Sequence, residues 1–360
     1  AIARTRPEPG PVAGGAMAPK KKPSAANPAV RKRPAAAKPA ARGRPKAKAQ
    51  AAQKPRAKID RTRIYAVVPA RSGSKGVIGK NIKDFCGKPL MAWQIESGLK
   101  SKYVSRVFVS TDSEEYRTIA EQWGAEVPFL RPAEIAHSTA TDYQFLDHFL
   151  RWMKENDTDR QPSLLVQLRP TAPCLDADTV DACIETFLKH EDDNFDSLRT
   201  VTPIDHEAFN QYFADPHEPH RLLPVIPESY NKDDPSQVIS EPQSVARQIL
   251  PQIYWHNAYV DIIRPETILE QKCVMGKRCL SFLMGAEHNA DIDTPEQWAA
   301  AEAKKRAQLA AAEEAKQLAA AEEGAKQDAP DMEAAAPAGA APGAAEVPGG
   351  GPDAEMGGTA

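Results

Sequence analysis

Short apolar strands alternate with amphipathic helices from residue 64 onwards, and this alternation constrains the fold more than any other feature of the chain. The run Ile64–Pro69 predicts a buried strand, and Leu90, Trp93 and Ile95 have the spacing of a helix face. Strands are predicted at 64–69, 107–112, 125–129, 163–168, 197–202 and 253–263, and helices at 89–99, 114–123, 142–154, 176–189 and from 295. The alternation predicts an α/β fold, a parallel sheet with helices on both faces, whose ligands bind beyond the carboxyl ends of the strands.

Composition divides the chain into segments. Residues 1–60 hold sixteen Lys and Arg against two acids, and with few large apolar side chains they predict a disordered basic arm. Residues 61–298 are long enough to bury a full core. Within them, residues 205–252 are rich in Pro, His, Asn and Asp and predict an inserted lobe with dimer contacts. Residues 299–328 predict a solvated Ala- and Glu-rich helix, and residues 329–360 a disordered tail.

Cysteine spacing and hydropathy exclude other classes of protein. The five cysteines are irregularly spaced and form no CxxC, which favours free thiols over a zinc site or a disulfide framework. No apolar run reaches the length of about 18 residues that predicts a membrane span, and no apolar segment near the N-terminus predicts a signal peptide. Met17, followed by Ala, Pro and three Lys, is predicted as the start of translation.

The segment Pro69–Asn81 lies between the first strand and the first helix, and it combines glycines with cations. Glycines let the backbone come close to phosphates, and its N–H groups can hold them. Arg71, Lys75 and Lys80 add positive charge. The segment is neither a Walker loop nor a dinucleotide fingerprint, because GxxxxGK[ST] and GxGxxG are both missing. It therefore predicts a triphosphate site, with an ordinary strand–helix loop as the alternative.

This segment resembles the nucleotide loop of the acylneuraminate cytidylyltransferases, the CMP-sialic acid synthetases. Those enzymes carry Ala-Arg-x-x-Ser-Lys-Gly-x-x-x-Lys-Asn after their first strand, a pattern that Ala70–Asn81 fits. The resemblance continues in the same order over about 240 residues, through Gly87–Leu90, Val109–Asp112, Leu130–Glu134, Arg169–Pro173 and Asp291–Pro295. Ser74, Lys75 and Gly76 argue against the related KDO-activating enzymes, whose loop differs.

The resemblance implies a Rossmann-like nucleotide-diphospho-sugar transferase sheet with a small dimerisation lobe, assembled as a homodimer or a dimer of dimers. It implies transfer of CMP from CTP to a sialic-acid-type nonulosonic acid with Mg²⁺, by in-line attack on the α-phosphorus. The alternatives are another sugar nucleotidyltransferase on the same fold and a nucleic-acid-associated protein that acts through the basic arm. By resemblance, the catalytic residues are Arg71, Lys80 and Asp291; the nucleotide-binding residues are Arg71, Ser74, Lys75, Lys80, Asn81, Arg131, Thr139 and Thr141; and the sugar-binding residues are Arg169, Thr171, Arg247 and Asn257.

Asp291 and Asp293 are predicted to bind Mg²⁺. Residues two apart on an extended strand face the same side. Mg²⁺ usually takes one or two carboxylates together with phosphate oxygens, so the pair suits it. The alternative is that these acids cap the helix that begins near Pro295.

Two departures from the family's pattern fall on the sugar side. Many members have Gln where this chain has Arg169, and an arginine common near Trp255 is absent. Arg247 lies in a segment that resembles the family's Arg-Gln-x-Leu-Pro, and there it is expected to hold the sugar carboxylate through a bidentate contact. The preferred sugar therefore stays open.

The basic arm carries targeting signals. Lys20–Lys22 and Arg31–Lys38 resemble nuclear-import signals and predict a nuclear location, with cytoplasm, or plastid through a transit peptide, as alternatives. The arm is also suited to bind nucleic acid through phosphates, without base stacking, because no aromatic residue interrupts it. An import receptor or nucleic acid is therefore an expected partner, and a membrane is not.

Overall fold

The computed structural model describes residues 56–204, 206–285 and 292–327. The helices are α1 (Leu90–Lys100), α2 (Glu114–Gln122), α3 (Asp142–Asn156), α4 (Ala177–Lys189), α5 (Pro265–Leu269) and α6 (Pro295–Gln327). The strands are β1 (Ile64–Pro69), β2 (Asp84–Phe85), β3 (Lys88–Pro89), β4 (Arg106–Ser110), β5 (Leu164–Leu168), β6 (Ser197–Ile204), β7 (Tyr212–Ala214), β8 (Leu222–Pro224), β9 (Ser229–Tyr230), β10 (Val238–Ile239), β11 (Ile253–Ile263) and β12 (Cys279–Leu283).

Six strands form one mixed sheet in the order β12-β6-β11-β5-β1-β4. Neighbours β4, β1 and β5 are parallel, so Val67 of β1 pairs with Phe108 on one side and Gln167 on the other. Strand β11 is antiparallel to both β5 and β6. The carboxyl ends of β1, β4 and β5 therefore meet at one edge of the sheet, where the predicted loop and strand-end residues come together.

Helices cover both faces of the sheet, as the alternation predicted. Ile64, Ala66 and Val68 of β1 belong to a buried cluster with side chains of α1, α2 and α4. Tyr65 and Val67, which point the other way, belong to a second cluster with side chains of α3 and α5. Because successive residues of a strand face opposite sides, an apolar residue at every position of β1 requires this two-sided cover.

The strand predicted at residues 125–129 is wrong. That segment makes a single bridge, from Glu126 to Phe108 of β4. Gly124 precedes it with φ of +89°, and Pro128 has no N–H to donate to a ladder. A turn on one side and a proline on the other leave room for one bridge only.

The body extends beyond the boundaries predicted from composition. Ile59 is buried in the core, and the Arg56 guanidinium donates to the Phe195 carbonyl at 2.8 Å and contacts the Asp196 carboxylate. On the C-terminal side, Lys305 of α6, beyond the predicted boundary at residue 298, is buried against the body, whereas residues 309–320 are exposed. Composition missed both segments because a few long side chains anchor them.

The lobe at residues 206–252 has its own small core and two hairpins. Phe209, Ile239 and Leu250 form a buried cluster, and β7 pairs with β8 as β9 pairs with β10. Apolar side chains remain outside this core, including Phe213 at 50% and Leu222 at 65% exposure. The lobe therefore presents an apolar surface.

All five cysteines are free thiols, as their spacing predicted. Among the described helices, none is both long and apolar enough to cross a membrane.

Candidate active site

A cleft of about 460 Å³ opens beyond the carboxyl ends of β1 and β5. It is lined by the loop after β1, by the segment after β5 and by the first residues of α3. The predicted site residues that line it are Arg71, Ser74, Lys75, Lys80, Asn81, Arg131, Arg169, Thr171 and Asp293. Residues that are more than 200 positions apart in the chain, such as Arg71 and Asp293, thus meet in one place.

The loop after β1 is held by hydrogen bonds to its own backbone and to Asp112, which follows β4. The Asp112 carboxylate accepts from the backbone N–H and the hydroxyl of Ser72, each at 2.8 Å. The Asn81 side-chain amide donates to the Arg71 carbonyl at 3.0 Å, and the Arg71 guanidinium donates to the Gly73 carbonyl at 2.9 Å. Arg71 therefore points along the loop and has no carboxylate partner among the described residues.

Gly76 packs against Asp293 in the segment that precedes α6. A Cβ atom at this position would lie 1.8 Å from the Asp293 carbonyl oxygen, so no other residue fits without moving one of the two backbones. Lys80 ties the same two segments together. Its ammonium donates to the Ile292 carbonyl and lies 3.0 Å from the Asp293 carboxylate.

Arg131 is a buried cation at the back of the cleft. Its guanidinium donates to the Ser110 carbonyl at 2.7 Å and to the Ser110 hydroxyl at 3.1 Å, and it lies 4.9 Å from the centre of the Phe145 ring. Burial lowers the pKa of Arg131 to about 10, against the opposing effect of Asp112. The residue is therefore charged at neutral pH.

Arg169 lines the cleft from the segment after β5 and is bound by two carboxylates. One of its amino groups donates to Asp261 at 2.7 Å, and the other contacts Asp142. Asp261 also accepts from His256 at 2.8 Å. Burial alone would lower the pKa of Arg169, but Asp261 and Asp142 outweigh it and raise that pKa.

Several predicted residues lie outside the cleft lining. Thr139 contacts His137 through its hydroxyl, and Thr141 precedes α3 as its cap. Arg247 is exposed in the lobe. Asn257 is buried on β11, where its side-chain oxygen accepts from the Tyr259 N–H at 3.3 Å. Thr139 and Thr141 thus adjoin lining residues, whereas Arg247 and Asn257 are not part of the lining.

Of the two predicted metal ligands, one lines the cleft and the other lies outside the described residues. Asp293 lines the cleft beside Lys80, whereas Asp291 lies in the segment 286–291, which the structure does not describe. In the part of the chain that is described, no three His, Cys, Asp or Glu side chains are grouped to hold a metal.

Sequence reasoning missed two carboxylates, Asp142 and Asp261. From the sequence, Asp142 was interpreted only as the first residue of a predicted helix. Asp261 stands among Tyr259, Val260 and Ile262 in a strand that is otherwise apolar at this point, and it is 2% exposed. A charged residue inside a buried strand needs an ionic partner, so that position carried a usable signal.

Comparison with known proteins agrees with this geometry. Residues 65–214 match the model of the cytidylyltransferase family. The N-acylneuraminate cytidylyltransferase of Escherichia coli O18:K1:H7 is 29% identical over 233 residues, which are 65% of this chain and 50% of that protein. The post-translational flagellin modification protein B of Campylobacter coli is 31% identical over 233 residues, which are 64% of this chain and 90% of that protein.

The chain belongs to the acylneuraminate cytidylyltransferase family. A further relative, the CMP-N,N'-diacetyllegionaminic acid synthase of Legionella pneumophila, is 29% identical over 244 residues, which are 67% of this chain and 95% of that protein. The chain spans about half the length of the first of these relatives and nearly the whole length of the other two. The matched region includes the loop after β1 and the segment after β5, which form the cleft.

Proposed function

We propose that this chain is a nucleotidyltransferase that transfers CMP from CTP to a sialic-acid-type nonulosonic acid and releases pyrophosphate. The observation that carries the proposal is the cleft beyond the carboxyl ends of β1 and β5, where the glycine-containing loop brings three cations together. The names of the relatives from Escherichia coli and Legionella pneumophila support the class of acceptor.

The charge of the lining suits a triphosphate. Five cationic side chains line the cleft, namely Arg71, Lys75, Lys80, Arg131 and Arg169, against two carboxylates, Asp142 and Asp293. Three of the five cations, Arg71, Lys75 and Lys80, belong to the loop after β1. Phosphoryl transfer of this kind needs positioning and charge neutralisation more than a covalent nucleophile. Arg71 and Lys80 are the proposed catalytic cations.

Mg²⁺ is the proposed metal, and the chemistry of the donors fits it. Asp293 supplies a hard carboxylate that is 68% exposed, and only one of its oxygens is bonded to Lys80. Mg²⁺ commonly binds one or two carboxylates and completes its coordination with phosphate oxygens and water. When bound, the ion would neutralise charge on the phosphates. Asp293 would hold it, and Asp291 stays a predicted second ligand.

The sugar is proposed to occupy the end of the cleft at Arg169 and Thr171. Both line the cleft next to the loop, so an acceptor there would lie beside the phosphates. Arg247 and Asn257, which do not line the cleft, stay predictions.

We propose a homodimer formed through the lobe. Its support is the exposed apolar surface of β7 and β8, which includes Phe213 and Leu222. Phe213→Asp should halve the mass measured by sedimentation. Leu318→Asp, which changes an exposed leucine on α6, is the matched control and should leave the mass unchanged. An unchanged mass in the Phe213 variant would contradict the proposed surface.

The basic arm is proposed to direct the protein to the nucleus, on the basis of its sequence alone. A fluorescent fusion of residues 1–60 should enter the nucleus, and neutralising Arg31–Arg33 should weaken entry. Delivery of the fusion to a plastid would identify the arm as a transit peptide instead.

The function is tested by pyrophosphate release. The protein is incubated with Mg²⁺ and with CTP, UTP or GTP, each against a panel of nonulosonic acids and other sugars. We expect release with CTP and a nonulosonic acid only. Release with another nucleotide or with a neutral sugar would make the chain a different nucleotidyltransferase on the same fold.

A further inference from the structure

Arg169 cannot act as a free cation in the cleft, because both of its terminal amino groups are bound to acids. Asp261 accepts at 2.7 Å from one, and Asp142 contacts the other. The Arg169 side chain is only 16% exposed. Its guanidinium is therefore fixed in orientation, and little of it faces the cleft.

Asp261 makes this arrangement rigid. It is fully buried on β11 and binds three basic groups, namely Arg169 at 2.7 Å, His256 at 2.8 Å and Arg199 at 3.7 Å. Burial alone would raise the pKa of Asp261, yet these neighbours, Arg169 first, lower it to about 2. The carboxylate is thus ionised at any physiological pH.

The charges of this cluster balance without a substrate. Two guanidinium groups, Arg169 and Arg199, stand against two carboxylates, Asp142 and Asp261. A sugar carboxylate placed here would be a third acid, and burying an unbalanced charge is costly. These two arginines therefore have no unpaired charge to offer a sugar carboxylate.

The cluster offers a hydrogen-bond acceptor, the Asp142 carboxylate, instead of a free cation. Asp142 lines the cleft, and its side chain is 36% exposed. One oxygen contacts Arg169, and within the described residues the other oxygen has no hydrogen-bond partner. An ionised carboxylate can only accept, so the group that it receives must be an O–H or N–H donor.

We propose that Asp142 is a specificity-determining contact for the acceptor sugar, that it accepts a hydrogen bond from a sugar hydroxyl, and that Arg169 and Asp261 position it. This proposal rests on the proposed function, which puts the sugar at this end of the cleft. A site built to receive a hydroxyl discriminates strongly against an analogue that lacks it, because the acceptor, once the bound sugar shields it from water, is then left unpaired.

The first test is steady-state kinetics of Asp142→Asn with CTP and N-acetylneuraminic acid or its 5-hydroxy analogue, whichever the wild type turns over. We expect the sugar KM to rise about tenfold or more and the CTP KM to change less than about twofold. Glu155→Gln removes an exposed carboxylate from the same helix and should change neither. An unchanged sugar KM, or an equal rise for CTP, would overturn the proposal.

The second test needs no substitution, so it holds even if Asp142→Asn folds poorly. Wild-type protein is assayed with a series of acceptors that each lack one hydroxyl. One deoxy sugar should show a sugar KM about tenfold higher, and Asp142→Asn should not distinguish that sugar from its parent. If no single deoxy sugar has this effect, no sugar hydroxyl donates a hydrogen bond to Asp142, and the proposal is overturned.

The positioning role is tested by a double-mutant cycle. A lysine cannot hold both carboxylates as the arginine fork does, so Arg169→Lys should raise the sugar KM as Asp142→Asn does. The double variant should then resemble either single variant, whereas multiplied effects would mean that Arg169 does not act through Asp142. If wild-type protein releases no pyrophosphate with any sugar, the proposed function fails and this inference with it. If the wild type is active and the variants have the KM values of the wild type, this inference alone fails.

Discussion

The two ends of the cleft hold their cations in opposite ways. At the loop end, the Arg71 guanidinium is bonded to a backbone carbonyl, and Lys80 shares its charge with one exposed carboxylate, Asp293. At the other end, Arg169 is bonded to two carboxylates. Positive charge is therefore available to a ligand at the loop end and already neutralised at the Arg169 end. One end suits phosphates, and the other suits uncharged donors.

The largest expected effect comes from removing the charge balance at the Arg169 end. Asp261→Asn would leave Arg169 and Arg199 without their shared buried acid, and breaking a buried ion pair costs about 3–5 kcal/mol. Urea unfolding at neutral pH measures the loss of free energy of unfolding. Glu155→Gln is the control and should stay within about 0.5 kcal/mol.

The same carboxylate sets an acid dependence. The pKa of Asp261 in the folded protein is about 2, below the unfolded value of about 3.8. Its contribution to stability is therefore present above about pH 4 and is lost as the pH falls towards about 2. Asp261→Asn should lack this part of the acid dependence, and identical pH profiles would show that Asp261 is not held as described.

At the loop end, charge removal should reduce catalysis rather than folding. Arg71→Ala and Lys80→Ala should each lower turnover about 10²-fold or more, because these cations stabilise charge that develops on the phosphates. Lys154→Ala, an exposed lysine of α3, is the matched control. Near-normal turnover in either variant would remove that residue from the proposed machinery.

A smaller effect is expected from displacing the loop. Gly76→Ala forces a Cβ atom against the Asp293 carbonyl, whereas Gly73→Ala would meet nothing closer than the Arg71 side chain at 3.8 Å. Overpacking of this kind costs about 1–3 kcal/mol, so the CTP KM should rise about tenfold in the first variant. Equal effects of the two substitutions would show that the Gly76 contact does not matter.

The smallest effect is expected from loosening the loop at its base. Asp112→Asn keeps the shape but weakens the two bonds to Ser72, and the CTP KM should rise roughly three- to tenfold. Asp159→Asn, at an exposed position, is the comparison variant. A rise in the sugar KM alone would contradict the assignment of this loop to the nucleotide.

The loop end could be predicted from the sequence, and the Arg169 end could not. Arg71, Lys75 and Lys80 lie within one short segment, so a local motif brings them together. The partners at the other end, Asp142 and Asp261, are far apart in the chain and meet only because β5 pairs with β11 and α3 packs beside them. The periodicity of the sequence predicts each helix and strand, but it does not predict which distant side chains come into contact.

Local patterns also explain which parts of the fold were predicted and which were not. Strands β1 and β11 were predicted to the residue, since their apolar runs end sharply at Pro69 and Ile263. The arm and the C-terminal helix contact the body beyond the predicted boundaries, because Arg56 and Lys305 anchor segments whose average composition is that of a solvated chain.

The charge balance of the cluster around Arg169 also limits how these positions can change among members of the family. Replacing Arg169 with a neutral residue leaves two acids without the arginine that they share, and replacing Asp261 leaves two arginines without a buried counterion. Neither single step is neutral, so positions 142, 169 and 261 should change together across relatives. A family member with Gln at the position of Arg169 should carry uncharged residues at the other two.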